Sequence, residues 1–320
     1  MCLDFKSFQG NLCRCTGYRP IIEAFETFSS CENNEVPLNL IPDEIQQSMR
    51  EASSETVTIN QKNNKICAKA TTVEETLDQM KKHPNYFLRQ GGTGTYKKFV
   101  KVEYDAMIDI SGVTDLKTTS IKNQNLIIGS GVTFTSLLKF LSNLGPEELS
   151  VTSVLVELQR VVSSLAGPQV RNLASLGGSL LWRHPASDLT PLLLAAETEL
   201  VIRNTEGEDS QRTLEAVIRS GLRRGELLVA VRVPLAKRRV KFYKHARRNT
   251  ADLAIANMGV GYALDGTRLQ DTRVFIGGIG IALENCKQGG VIEATHLGKL
   301  LLDQEKLSSL TVDSICSRIE

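Results

Sequence analysis

No uninterrupted apolar run in this chain reaches the roughly 18 residues that a membrane span requires. The first residues also lack a basic region followed by an apolar stretch, so neither a membrane anchor nor a secretory signal is expected. A cytoplasmic location is the default. Cysteine is sparse: the seven cysteines are odd in number and mostly single, unlike the framework of a secreted disulfide protein. Reduced thiols, or thiolates on a metal, are expected instead. The histidines His83, His184, His245 and His296 share no metal-ligand spacing. An excess of one charge is missing too, since 38 Lys and Arg face 36 Asp and Glu for a net charge of +2. That balance excludes nucleic acid and acidic membrane as expected partners. One basic run, residues 237–241 followed by Lys244, Arg247 and Arg248, has only Phe242 and Tyr243 beside it. Without further stacking aromatics it reads as a solvated face rather than a nucleic-acid surface.

What is present is the composition of an ordinary soluble globular protein, 41% hydrophobic and 23% charged over 320 residues. That length suits roughly two domains. A short helix is predicted at 21–28, followed to residue 54 by a polar, Asn- and Pro-containing linker. Thr72-Val73-Glu74-Glu75 forms a capping-box pattern for a helix with Leu77 and Met80 inward, ended by His83-Pro84. Strands are predicted at 86–88, 106–110, 126–130, 200–203 and 227–233, with Glu206-Gly207-Glu208 as a turn. Thr133 or Thr135 would cap a helix through Leu137, Leu138 and Leu141. A second helix covers 154–165, and Gly167-Pro168 stops it. Towards the end, 254–264 and 274–276 read as strands around an Asp265-Gly266 hairpin turn. Helical patches follow at 297–302 and 307–315, for a second, α+β unit.

Three stretches carry chemistry. Residues 172–191 hold Ala174, Ser175, Gly177, Gly178 and Ser179, which let a backbone lie close to a bulky partner; a tight turn or bulge between strands is the other reading. Asp188 follows between two prolines, either as a ligand for a polar heterocycle or as a helix cap. The second stretch is Gln90-Gly91-Gly92-Thr93-Gly94-Thr95, at the end of a predicted strand. Consecutive backbone N–H groups there can cradle a diphosphate, or form a plain turn; the loop matches neither the P-loop nor Gly-x-Gly-x-x-Gly. The third is residues 10–20, where Cys13 and Cys15 sit one residue apart between glycines. They are plain thiols or part of an iron–sulfur ligand set. Lys244 is a strand charge or a cofactor neighbour, and Trp182, the only tryptophan, is a core residue or a cofactor neighbour.

The order of these features resembles the xanthine dehydrogenase and aldehyde oxidase family of molybdenum hydroxylases. Residues 10–20 are similar to the second half of its helical [2Fe-2S] domain, and Gly91 to Lys244 to its flavin domain; the Gly94-Thr95-Tyr96-Lys97-Lys98 ending leans to the aldehyde oxidase side. The resemblance implies an α+β chain: a helical [2Fe-2S] remnant at 1–30, a linker at 31–60, a two-subdomain FAD-binding domain at 61–236 and a small α+β domain at 237–320. It further implies that Gly91, Gly92, Thr93, Gly94 and Thr95 take the FAD diphosphate. Ser175 and Gly178 would contact it from the other side, Asp188 would hold the flavin region, and Leu165, Leu228 and Lys244 would lie close to the flavin. Cys13 and Cys15 would ligate the cluster, although a cluster needs four thiolates and the family's upstream Cys-Gly-x-Cys pair is missing. The implied activity is oxidoreduction, with electrons passing from iron–sulfur clusters through FAD to oxygen or NAD. Molybdopterin would be carried only by a full-length relative. Implied partners are iron–sulfur and molybdopterin domains or subunits, with a homodimer admitted. The loop departs from the family's Gly-Asn-Thr-x-x-Gly, Ser179 stands where Asn is usual, and Leu165 stands where an aromatic often does. A non-catalytic fragment or scaffold is the competing expectation.

Overall fold

The computed structural model describes residues 58–60, 65–94, 103–145, 153–236, 238–248, 251–266, 268–278 and 290–302. Cys13, Cys15, Thr95, the helices expected at 21–28 and 307–315, and most of the predicted linker lie outside the described residues.

The first sheet contains β1 (Thr58–Asn60), β2 (Ile66–Lys69), β3 (Tyr86–Arg89) and β4 (Ala106–Asp109), ordered β1-β2-β4-β3. β2, β4 and β3 run parallel, and β1 is antiparallel. Helix α1 (Val73–Lys82) connects β2 to β3 and buries Val73, Leu77 and Met80. Its cap follows the sequence signal, with Thr72 Oγ1 accepting from the Glu75 N–H at 3.1 Å. The return arm lands one residue earlier than a capping box requires, because the Glu75 carboxylate takes the N–H and hydroxyl of Thr71, both at 2.8 Å. β3 then runs directly into the glycine loop.

The second sheet, wholly antiparallel, contains β5 (Thr119–Lys122), β6 (Asn125–Gly129), β7 (Glu199–Asn204), β8 (Asp209–Thr213) and β9 (Glu226–Pro234), ordered β5-β6-β9-β7-β8. Its core is shared with α2 (Phe134–Ser142), α3 (Ser153–Ser164), α5 (Leu176–Trp182), α6 (Leu189–Ala195) and α7 (Leu214–Ser220), with the single turn α4 (Pro168–Arg171) after α3. Thr133 is the cap of α2, accepting from the Ser136 N–H at 3.2 Å, while the Thr135 hydroxyl donates to Asn172 Oδ1. Gly167-Pro168 opens a new turn rather than only ending α3: Gly167 is its N-cap and Pro168 occupies the first turn, where a missing N–H costs nothing.

β9 carries the one irregularity that matters for the site. Val201 pairs with Ala230 but Ile202 pairs with Leu228, so Val229 is a bulge. The inward–outward alternation breaks there, and Leu227 and Leu228 are both 2% exposed. Leu227 joins the core of the first sheet and Leu228 that of the second.

The third sheet holds β10 (Arg239–His245), β11 (Ala256–Asp265), β12 (Arg268–Gly277) and β13 (Ile292–Glu293), antiparallel in that order, followed by α8 (Thr295–Leu302). Val240, Phe242 and Phe275 enter the core of the second sheet. A Cβ at Gly259 or Gly261 would strike the carbonyl oxygens of Pro191 and Ala195, so β11 lies directly on the backbone of α6. The edge of β10 is covered by α3. Ser153 Oγ accepts from the Val240 N–H at 2.8 Å, and the Arg160 guanidinium donates to the Phe242 carbonyl.

The basic run at 237–241 is not simply a solvated face. Arg238 has a side chain only 9% exposed, ion-paired with Glu197 and Asp271. Lys241 instead reaches the buried Glu157 at 3.0 Å. The alternation of β10 sends Val240 and Phe242 inward, so its charges serve as anchors between layers.

Burial pushes the Glu157 carboxyl up, but hydrogen bonds from Arg160 and Lys241 and their charges outweigh burial and hold it below its ordinary 4.5. A depressed folded value means stability fully present above 4.5 and lost as pH falls through the lowered value. Glu157→Gln should therefore cost about 1–2 kcal/mol at neutral pH. The loss should shrink on acidification, as read from thermal melts of both proteins along a pH series.

Candidate functional site

A cavity of about 580 Å³ opens where the two cores meet, within the size range of small-molecule and cofactor sites. One wall is the end of β3 and the loop from Arg89 to Gly94, together with Ile110 just past β4. Both segments leave the carboxyl ends of parallel strands, the edge at which α/β sheets bind ligands. The facing wall is Ala174, Ser175 and Gly177 to Ser179 with Trp182, His184 and Asp188; Leu165 and Ala166 also line it, as do Leu227, Leu228 and the segment Ala251 to Leu253.

Close backbone contact brings the walls together. A Cβ on Gly91 would overlap the Leu173 carbonyl, and one on Gly94 would sit 3.1 Å from the Trp182 indole. Only glycine fits at residue 91. The loop therefore lies against the chain leading into α5 and against the far end of that helix. Trp182, for which the sequence admits a core position, is half-buried and offers its ring to the cavity.

Gly177 and Gly178 are neither a turn nor a bulge between strands. They form the first turn of α5, capped by Ser175, whose Oγ accepts from the Gly178 N–H at 3.2 Å. The Leu176 N–H donates to Val132 and the Gly177 N–H to Ser130. The donors at this helix start are thus already engaged, and Ser175 and Gly178 shape the wall. Gly178 is exposed towards the cavity while Ser175 is buried. By contrast, the N–H groups of Gly91 and Thr93 have no backbone acceptor among the described residues. Gln90 Oε1 is buried, lines the cavity and lacks a hydrogen-bond partner among those residues. An acceptor left open this way suits a polar ligand.

Asp188 starts α6 but makes no capping hydrogen bond. Its side chain, 4% exposed, accepts from Lys244 Nζ at 2.6 Å and from Asn257 Nδ2 at 3.0 Å. Lys244 also donates to the Asp252 carbonyl at 2.7 Å. The two residues expected separately beside a cofactor are therefore one buried ion pair. Asp188 faces the cavity, and the Lys244 ammonium is turned onto it from behind. Leu165 is partly buried at the rim, and Leu228 reaches the cavity through the β9 bulge.

Of the expected residues, Gly91, Gly92, Thr93, Gly94, Leu165, Ser175, Gly178, Asp188 and Leu228 line one cavity, with Lys244 behind it. Trp182, for which the sequence admits a core position or a cofactor neighbour, also lines it, as do Arg89 and Gln90, which carried no expected role. For Arg89 a usable signal existed: a cation ending an otherwise apolar strand next to a glycine loop. Among the described residues no group of three or more His, Cys, Asp or Glu could hold a metal ion, and no helix is long and apolar enough to cross a membrane.

The family model described as the FAD binding domain in molybdopterin dehydrogenase matches residues 60–236, more than half of the 320 residues. The chain belongs to this family. As a molybdopterin dehydrogenase FAD-binding domain it has relatives among the aldehyde oxidases. It is 29% identical to aldehyde oxidase 1 of Bos taurus over 325 residues, covering 85% of this chain and 24% of that protein. It is 29% identical to the aldehyde oxidase of Homo sapiens, covering 91% and 25%. The chain thus spans about a quarter of the length of these relatives. Among solved structures it resembles a carbon monoxide dehydrogenase chain from Hydrogenophaga pseudoflava, with a TM-score of 0.64 at 20% identity over 78% of this chain and 82% of that one. It likewise resembles quinoline 2-oxidoreductase from Pseudomonas putida 86, with a TM-score of 0.61 at 21% identity over 74% and 79%. These two likenesses establish the fold, and the α+β flavin-domain architecture expected from the resemblance stands.

Asp188→Ala should destabilise the domain by about 3 kcal/mol, because it leaves a buried ammonium without its carboxylate. The double variant Asp188→Ala/Lys244→Met should recover part of that loss in urea unfolding. Gly91→Ala should cost about 1–3 kcal/mol by overpacking against the Leu173 carbonyl, read from the same transitions.

Proposed function

We propose that this chain is the FAD-binding, electron-transferring part of an aldehyde oxidase-like or xanthine dehydrogenase-like oxidoreductase. The observation that carries this reading is that the glycine loop and the 174–188 stretch converge on one cavity. Residues 61–236 are the FAD-binding domain, and residues 237–320 form a small α+β domain that braces its wall. The Gly91–Thr95 loop takes the diphosphate, Gly178 makes room for it on the facing wall, and the Gln90 side-chain oxygen accepts from a ligand hydroxyl. Leu165, Leu228 and Trp182 supply apolar surface for a flavin ring and keep water from it. Asp188, held by Lys244, presents a fixed carboxylate to the polar edge of the ligand. When bound, FAD supplies the capacity to take up and pass on electrons.

In the enzyme so read, iron–sulfur clusters would supply the electrons, and FAD held by these residues would pass them to oxygen or NAD. Molybdopterin and the substrate belong to partner domains or subunits. Cys13 and Cys15 contribute to a [2Fe-2S] cluster only together with further thiolates, since four are needed. The enzyme works in the cytoplasm.

A visible absorbance spectrum of the purified chain, with a metal assay on the same sample, tests the reading. A flavin spectrum, present at isolation or appearing on addition of FAD, is expected. A colourless protein that leaves the spectrum of added FAD unchanged would sink it and favour a scaffold.

A further inference from the structure

The side chains lining the cavity include two carboxylates, Asp188 and Asp252, and one guanidinium, Arg89. Both carboxylates are compensated. Asp188 is paired with Lys244 at 2.6 Å, and Asp252 accepts from the Arg248 N–H at 3.2 Å and faces its guanidinium at 3.7 Å. Arg89 is not: among the described residues its guanidinium has no carboxylate or carbonyl partner within hydrogen-bonding distance. Among the described residues the cavity therefore carries one uncompensated positive charge, placed beside the glycine loop.

Its placement depends on residue 92. Gly92 adopts φ +68°, and a Cβ there would meet Arg89 Nε at 2.9 Å and one of its terminal nitrogens at 3.3 Å. The absence of a side chain at this position is what lets the guanidinium lie along the loop. It lies over the same backbone whose Gly91 and Thr93 N–H groups are open among the described residues. A planar guanidinium presents paired donors that match two phosphate oxygens, and the neighbouring N–H groups point to the same ligand charge.

We infer that Arg89 is a phosphate-binding residue of this cavity, contacting the diphosphate of a bound dinucleotide together with the Gly91–Gly94 loop. This rests on the FAD reading of the cavity. It adds a specific claim: the chain selects FAD over flavins without phosphate through a side chain, and not by loop N–H groups alone.

The full 320-residue chain and its Arg89→Met and Arg89→Lys variants would be titrated with FAD and with riboflavin at low and high salt, following the quenching of flavin fluorescence. Arg89→Met keeps the apolar stem, so riboflavin affinity reports whether the cavity is intact. FAD binding should weaken about 10- to 100-fold in Arg89→Met, as for a hydrogen-bonded charge, with riboflavin unchanged. Arg89→Lys should fall between, and the salt dependence of FAD affinity should flatten in Arg89→Met. Wild-type FAD affinity in Arg89→Met would overturn the assignment. So would equal weakening of both flavins, which would place the contribution of Arg89 in the fold or at the ring. A wild-type chain that binds neither flavin removes the cofactor reading itself, and this assignment with it.

Discussion

The wall of the cavity depends on an ion pair that is almost entirely out of water. Asp188 and Lys244 have side chains only 4% and 13% exposed, and they are 2.6 Å apart. A lone charge so placed would cost several kcal/mol, so neither residue is tolerable without the other. The pair ties the start of α6 to β10, and Asn257 adds a tie to β11. The third sheet is therefore held against the flavin-domain core by the residue that also faces the cavity. Gly259 and Gly261 complete this contact by letting β11 settle on the α6 backbone. The contacts that hold the C-terminal sheet in place therefore also shape the cavity.

A second constraint lies on the opposite side, at the β9 bulge. Leu227 and Leu228 are consecutive in the strand, point to opposite faces and serve different cores, and both line the cavity. The extra residue at Val229 resets the alternation, so that Leu228 rather than Val229 joins Val231 and Val233 in the second core. The strand is thus the seam between the parallel sheet that delivers the glycine loop and the antiparallel sheet that carries the facing wall. The Val229 carbonyl accepts from the Ser130 N–H, and Ser130 in turn accepts from Gly177 at the start of α5. Bulge, turn and helix start form a continuous run of backbone hydrogen bonds beneath the cavity floor.

Elements marked by their own local chemistry are legible in the sequence. Helix α1 announces itself through Thr72, its apolar stripe and His83-Pro84, and β11 and β12 through Asp265-Gly266. β8 is not legible, since Asp-Ser-Gln-Arg-Thr has no apolar alternation and is held as a strand by pairing with β7. α7 is short, and its Leu214, Val217 and Ile218 are buried by the second core. Trp182 is ambiguous in the sequence because one aromatic at helical spacing fits a core or a cavity equally well. Only the position of Gly94 over its ring decides between them.

Determined by the sequence alone are the kinds of group available: a glycine loop at the end of a strand, small residues before α5, one carboxylate between prolines, and a cation on β10. Their spacing and order suffice to suggest a family, because close backbone approach and strand termination are local properties of glycine and proline. Tertiary structure alone decides which of them meet. Asp188 and Lys244 are 56 residues apart, and nothing local says that the lysine gives its charge to the aspartate while Arg89 has no such partner among the described residues. Burial fixes that pairing, since a charge removed from water takes whichever partner the packed layers bring within reach.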